Sequence, residues 1–165
     1  MITRNAPYFK ARNKADGGSA PAPLTWSVDR AVRFEEVDSL GVVWHGHYPS
    51  YFEDARVAFG DARGFGYLDV YNAGFVIPVK QMGIDYIAPL RFGQKCRITA
   101  RLHWDDAARI NFSYEIRDEA GALLTTGYTV QLFLTAGGEL CMVKPDFFQD
   151  FCQRWERGVL PVPAL

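Results

Sequence analysis

The stretch RFEEVDSLGVVWHGHYPSYFEDAR, residues 33 to 56, decides how the chain folds. Arg33, Phe34, Glu35 and Glu36 read as the close of a strand, and Asp38, Ser39, Leu40 and Gly41 supply turn chemistry. Val42, Val43 and Trp44 are apolar enough to bury. Pro49 suits the first turn of a helix, where its missing N–H costs nothing. Tyr48, Phe52, Ala55 and Phe59 then fall at helical spacing and mark one buried face. Asp38 and His45 are thereby brought close to the N-terminus of a helix buried on one side. Free N–H groups and partial positive charge at that end suit an anion or a polarised carbonyl.

Working outward, the first strand is expected over Val28–Glu36 and the helix over Pro49–Ala62, with Gly60, Gly64 and Gly66 ending it. Phe75 to Ile87 is a second extended stretch. Pro78 within it argues for an edge position or a bulge. Three strands with period-2 alternation follow. Cys96, Ile98, Ala100, Leu102 and Trp104 form one apolar set, and Ile110, Phe112, Tyr114 and Ile116 the next. The third is Thr126, Tyr128, Val130, Leu132 and Leu134. Such alternation means antiparallel strands with one buried face. Glu139 to Val143 is expected to add a short strand. After Pro145, the residues Phe147, Phe148, Phe151, Cys152 and Trp155 share a helical face, as in a terminal helix docked on the body. The fold class is α+β: a long central helix covered by a curved antiparallel sheet. The sheet leaves an open edge, so self-association is expected.

The domain proper is placed at residues 28–144, with the C-terminal helix and tail at 145–165. Residues 1–27 differ in character. They carry Arg4, Lys10, Arg12 and Lys14 and then a Gly/Ser/Ala/Pro-rich spacer, and they read as a flexible extension. Tyr8 and Phe9 would otherwise let it act as an arm on a neighbouring subunit.

A chain of 165 residues with 48% hydrophobic and 15% aromatic content is long enough for one packed domain. The formal net charge of −1 gives no general drive toward nucleic acid or an anionic membrane. The three cysteines, Cys96, Cys141 and Cys152, are widely spaced and read as reduced thiols. No apolar run approaches the ~20 residues of a membrane span. A cytoplasmic protein is expected, with neither membrane nor nucleic acid as partner. There is no GxGxxG, no GxxxxGK and no GxSxG.

Val32-Arg33-Phe34, Asp38, Gly41, Val42-Val43-Trp44-His45 and Tyr48, continuing Tyr51-Phe52-Glu53-Asp54-Ala55-Arg56, resemble the signature of hot-dog-fold acyl-CoA thioesterases of the 4-hydroxybenzoyl-CoA thioesterase type. The resemblance covers roughly residues 28 to 140. His47 departs from it, since the family often has Asn before the Tyr. The resemblance implies a hot-dog fold and a hydrolase that splits an acyl- or aroyl-CoA, or an acyl-carrier-protein thioester, to free acid and thiol without a cofactor. It implies Asp38 as nucleophile or general base, and the backbone N–H of His45 as the donor that polarises the thioester carbonyl. It also implies a homodimer or homotetramer with the site at a subunit interface.

Around this core, Glu53 is the fallback catalyst, because a second hot-dog branch uses a helix carboxylate; its other reading is an outward charge paired with Arg56. Trp44 lines an acyl pocket or fills the core, and Tyr48 packs under the turn. Lys80, Arg91 and Arg109 are candidate cations for the phosphates of CoA. His45, His47 and Asp38 lack the spacing of a common zinc site, and no metal is expected. Two rival functions stand beside hydrolysis: a hot-dog dehydratase acting on 3-hydroxyacyl thioesters, and a non-catalytic acyl-thioester binding protein.

Overall fold

The computed structural model describes residues 18–160. Expectations for the N-terminal extension up to residue 17, including the arm anchored by Tyr8 and Phe9, and for the last five residues lie outside the described residues. Strand β1 (Leu24–Ala31) leads through a short 3₁₀ turn and a hairpin into α1 (Tyr48–Arg63). Then come α2 (Tyr67–Asn72), β2 (Phe75–Val76), β3 (Val79–Tyr86), β4 (Lys95–His103), β5 (Arg109–Asp118), β6 (Leu123–Leu132), β7 (Leu134–Thr135) and α3 (Asp146–Glu156). Five strands form one antiparallel sheet in the order β1-β4-β5-β6-β3, and β2 pairs with β7.

Helix α1 packs along the sheet through Tyr51, Phe52, Ala55 and Phe59, all essentially without exposure. Opposite them lie Ile98, Ala100 and Leu102 of β4 and Ile110, Phe112, Tyr114 and Ile116 of β5. The Phe52 ring stacks on Tyr114 at 4.5 Å, and Phe59 meets Phe112 edge-on at 5.1 Å. The helix ends at Gly64, whose φ of +66° favours glycine. Helix α3 is docked, as its pattern implies: Phe148 and Phe151 lie against Phe65, and Trp155 against Trp104. It thus shares the core of the preceding domain. Pro78 separates β2 from β3, and β3 is an edge strand with a register shift between Val79 and Gln81.

Four expectations are corrected. The first strand is Leu24–Ala31, not 28–36, because Leu24, Trp26 and Val28 alternate inward in unbroken register with β4, from Leu24↔Leu102 to Ala31↔Lys95. Residues 24–27 therefore belong to the domain and not to the extension. Residues 34–36 coil into a 3₁₀ turn, tightened by the Glu36 carboxylate accepting the Arg33 N–H at 2.8 Å. Residues 139–143 form only an isolated bridge, Leu134↔Leu140. The fourth correction concerns β6. Its register sets Tyr114 opposite Gly127, Phe112 opposite Thr129 and Ile110 opposite Gln131. Directly opposed residues share a face. The helix-facing side of β6 is therefore Thr125, Gly127, Thr129 and Gln131, and the set Thr126, Tyr128, Val130 and Leu132 points the other way. Shape decides this: a Cβ on Gly127 would stand 2.6 Å from Phe52 Cζ, so only glycine admits that ring. Thr129 meets the Tyr114 hydroxyl at 3.0 Å.

Candidate active site

Asp38 opens a tight hairpin. Its N–H donates to the Val42 carbonyl at 2.9 Å, and the Gly41 N–H returns to the Asp38 carbonyl at 3.0 Å. Gly41 has φ of +71°, the left-handed conformation such a turn requires. One carboxylate oxygen, Oδ1, accepts the Leu40 N–H at 2.8 Å. This Asx turn holds the side chain in place and leaves Oδ2 unbonded among the described residues. Asp38 is partly exposed.

The hairpin is pinned from both sides. Val37 pairs with Val43, and the Trp44 N–H donates to the Glu36 carbonyl at 2.9 Å. On the far side Val42 pairs with Arg91, and the Val43 N–H donates to the Leu90 carbonyl at 2.8 Å. Beneath it lies a buried charge cluster that the sequence did not disclose. The Glu36 carboxylate accepts from Tyr51 Oη at 2.8 Å and is ion-paired with Arg30, which also pairs with Asp54. The Arg30 guanidinium rests 3.9 Å above the Tyr51 ring. Burial alone would raise the Glu36 pKa, but the bonds from Arg33, Tyr51 and Arg30 outweigh it and hold the carboxyl below its usual range. The signal that marks this cluster, a charged pair at Arg30 and Glu36, has no spacing of its own in sequence.

From Trp44 the chain enters a 3₁₀ turn, His45–His47, that runs directly into α1. As the first helical residues, His45 and Gly46 have N–H groups without intrahelical acceptors, and neither donates elsewhere among the described residues. The His45 carbonyl accepts from Tyr86 Oη at 2.9 Å. Trp44 is half-exposed and lies over Gly46: a Cβ there would stand 2.6 Å from Trp44 Cε3. Its indole is also tilted against the His45 ring at 4.8 Å. Tyr48 is buried under the turn, edge-on to Tyr86 at 4.9 Å, and burial raises its hydroxyl pKa.

Asp38, Trp44, His45, Tyr48 and Arg91 are thus gathered on one hairpin and its flank. The other candidates are not. Lys80 is exposed near the opposite end of β3 from Tyr86, roughly 20 Å away at six residues of strand. Arg109 is ion-paired with Asp105 at 2.6 Å and is no free cation for a phosphate. Glu53 is paired with the largely buried Arg56. Arg56 and the fully buried Gln131 border a small cavity of about 20 Å³ between α1 and the sheet. Arg56 lies eleven residues along from His45, roughly 16 Å at helical rise. Among the described residues no group of three or more His, Cys, Asp or Glu is arranged to hold a metal, and no helix is long and apolar enough to cross a membrane.

A long helix packed along one antiparallel sheet is the hot-dog arrangement, and the relatives of this chain are thioester hydrolases. The Thioesterase-like superfamily matches residues 32–155, and the chain belongs to it. It is 30% identical to a putative acyl-CoA thioesterase, YneP, of Bacillus subtilis, over 56% of this chain and 67% of that protein. It is 28% identical to the 1,4-dihydroxy-2-naphthoyl-CoA hydrolase of Thermosynechococcus vestitus, over 69% of this chain and 78% of the relative. The structure of a DHNA-CoA thioesterase from Staphylococcus aureus superposes with a TM-score of 0.73 at 25% identity, covering 81% of this chain and 90% of that one.

Proposed function

We propose that this enzyme hydrolyses an acyl- or aroyl-CoA thioester, or the same acyl group on a carrier protein, to the free acid and thiol in the cytoplasm. The observation that carries the reading is the juxtaposition of two features on one hairpin: the partly exposed Asp38 carboxylate, and the unpartnered N–H groups where the chain enters α1. The thioester carbonyl oxygen sits at the helix start, where the His45 N–H stabilises the negative charge that develops on attack.

Two routes use the same groups. With Asp38 as nucleophile, its carboxylate adds to the carbonyl carbon and the C–S bond breaks. The thiolate leaves and is protonated by solvent, and water cleaves the resulting anhydride. With Asp38 as general base, it takes a proton from water while that water adds to the carbonyl carbon, and the tetrahedral intermediate expels the thiolate. A single turnover in H₂¹⁸O that leaves label in Asp38 and an unlabelled acid establishes the nucleophilic route, because only water opening the anhydride at the Asp38 carbonyl puts it there.

Trp44 forms a wall of the acyl pocket, and Arg91, beside the Asp38 turn, is the cation for a phosphate. Two copies pair through the exposed β3 edge into a homodimer or a pair of dimers, a reading supported by the apolar side chains left open there. Val79, Met82, Tyr86 and Ile87 are exposed along that edge. Lys80 would then serve a site only across such an interface. Thiol release from a panel of aryl, short, medium and long acyl-CoA esters and of acyl carrier protein tests the activity. A conjugated alkene as product, or ligand-induced stabilisation without turnover, refutes it.

A further inference from the structure

The carbonyl of residue 45 would ordinarily accept an α-helical hydrogen bond from the N–H of residue 49. Residue 49 is proline and has no N–H to give. Tyr86 Oη, arriving from the end of β3, takes that position at 2.9 Å. Its ring is held by an edge-on contact with the buried Tyr48 at 4.9 Å. The His45 carbonyl and the Gly46 N–H belong to one peptide unit. A hydrogen bond accepted at the carbonyl oxygen polarises that unit and strengthens its N–H as a donor. The Gly46 N–H is open at the start of the helix. The Trp44 indole lies against Gly46 where any side chain would otherwise stand.

We infer that Tyr86 is a positioning residue that replaces the hydrogen bond lost at Pro49, and that through it the Gly46 N–H becomes a second oxyanion donor beside that of His45. This rests on the thioesterase reading of the site. The hydroxyl touches no reacting atom. It fixes the orientation and donor strength of the peptide that does, so its loss lowers the rate of the chemical step and leaves ground-state binding alone.

The test is Tyr86→Phe, which keeps the ring on Tyr48 and removes only the hydroxyl. Expected are a fall in kcat of about tenfold, an unchanged KM and a Tm lowered by less than about 5 °C. Pro49→Ala restores an N–H opposite the His45 carbonyl, so the Tyr86→Phe/Pro49→Ala double variant regains at least about threefold of the lost kcat. A Tyr86→Phe kcat within about twofold of wild type, a loss confined to KM, or no recovery in the double variant overturns the inference. Asp38→Ala run alongside separates the two levels: wild-type turnover that vanishes with Asp38 but ignores Tyr86 sinks this inference and spares the thioesterase reading. A measurement without turnover completes it. With ¹⁵N-glycine labelling, the Gly46 amide resonance shifts in Tyr86→Phe more than that of distant Gly121; an unmoved Gly46 resonance overturns the inference even if no substrate is found.

Discussion

The Tyr51 hydroxyl, on the first turn of α1, donates to the Glu36 carboxylate at 2.8 Å, and so ties the central helix to the hairpin that carries Asp38. Glu36 is also ion-paired with Arg30, and both side chains are largely removed from solvent. Removing one member of a buried pair strands the other, so Glu36→Gln is expected to cost about 3 kcal/mol. Tyr51→Phe, which deletes one bond to a charged acceptor, is expected to cost about 1.5–3 kcal/mol. Urea unfolding measures both. Equal stability of all three proteins would contradict the cluster's structural role.

Gly127→Ala would press its methyl into the Phe52 ring and toward the Gly83 carbonyl, 2.9 Å away. A cost of about 1–3 kcal/mol is expected, with kcat per folded molecule unchanged. A variant as stable as wild type would show that the helix is not seated on β6 at this point.

Much of the fold was readable because it rests on period. The apolar residues of β4 and β5 recur every second position, and those of α1 at helical spacing, so existence and type of element follow directly. Strand β6 was misread for a physical reason. Alternation tells which residues share a face but not which face meets the helix, and here the seat under Phe52 demands glycine while the more apolar set faces away. Helix α2 was missed because its six residues, YLDVYN, span fewer than two turns, too short for a period to show. Among the candidate residues, Asp38, His45 and Arg91 were named from the signature and from their places at turns, and the structure gathers them on one hairpin and its flank. Tyr86 was not named, since its bond to His45 spans 41 residues and appears only when β3 returns beside the helix start. Arg109 was misplaced because sequence does not reveal that Asp105, four residues earlier, already holds it.

Acid should loosen the fold. His103 lies 2.7 Å from Ser113 Oγ, and burial, reinforced by the Arg101 cation, holds its pKa down to about 4. The unfolded chain has an ordinary imidazole near 6.5. Between those values the unfolded state takes up a proton that the folded state refuses, so stability rises with pH from about 4 to 6.5 and falls on acidification. Glu36 acts in the same direction: its depressed pKa gives stability that is full above about 4.5 and is lost as pH falls. Unfolding free energies at pH 5 and pH 7 should differ less in His103→Gln than in wild type. An identical difference in both would contradict this assignment.

Glu53→Gln is expected to keep turnover within about threefold of wild type, because its carboxylate is engaged with Arg56, and to cost about 1–3 kcal/mol, because the Arg56 side chain it leaves behind is largely buried. A loss of two orders of magnitude or more in kcat would move the chemistry from the turn to the helix.

The most direct test of the central claim is thiol release from acyl-CoA and acyl-carrier-protein esters by wild type and Asp38→Ala, with both shown to be folded and equally assembled. The account predicts turnover by wild type and a fall of about 10²-fold or more in Asp38→Ala. Undiminished turnover in Asp38→Ala would contradict it.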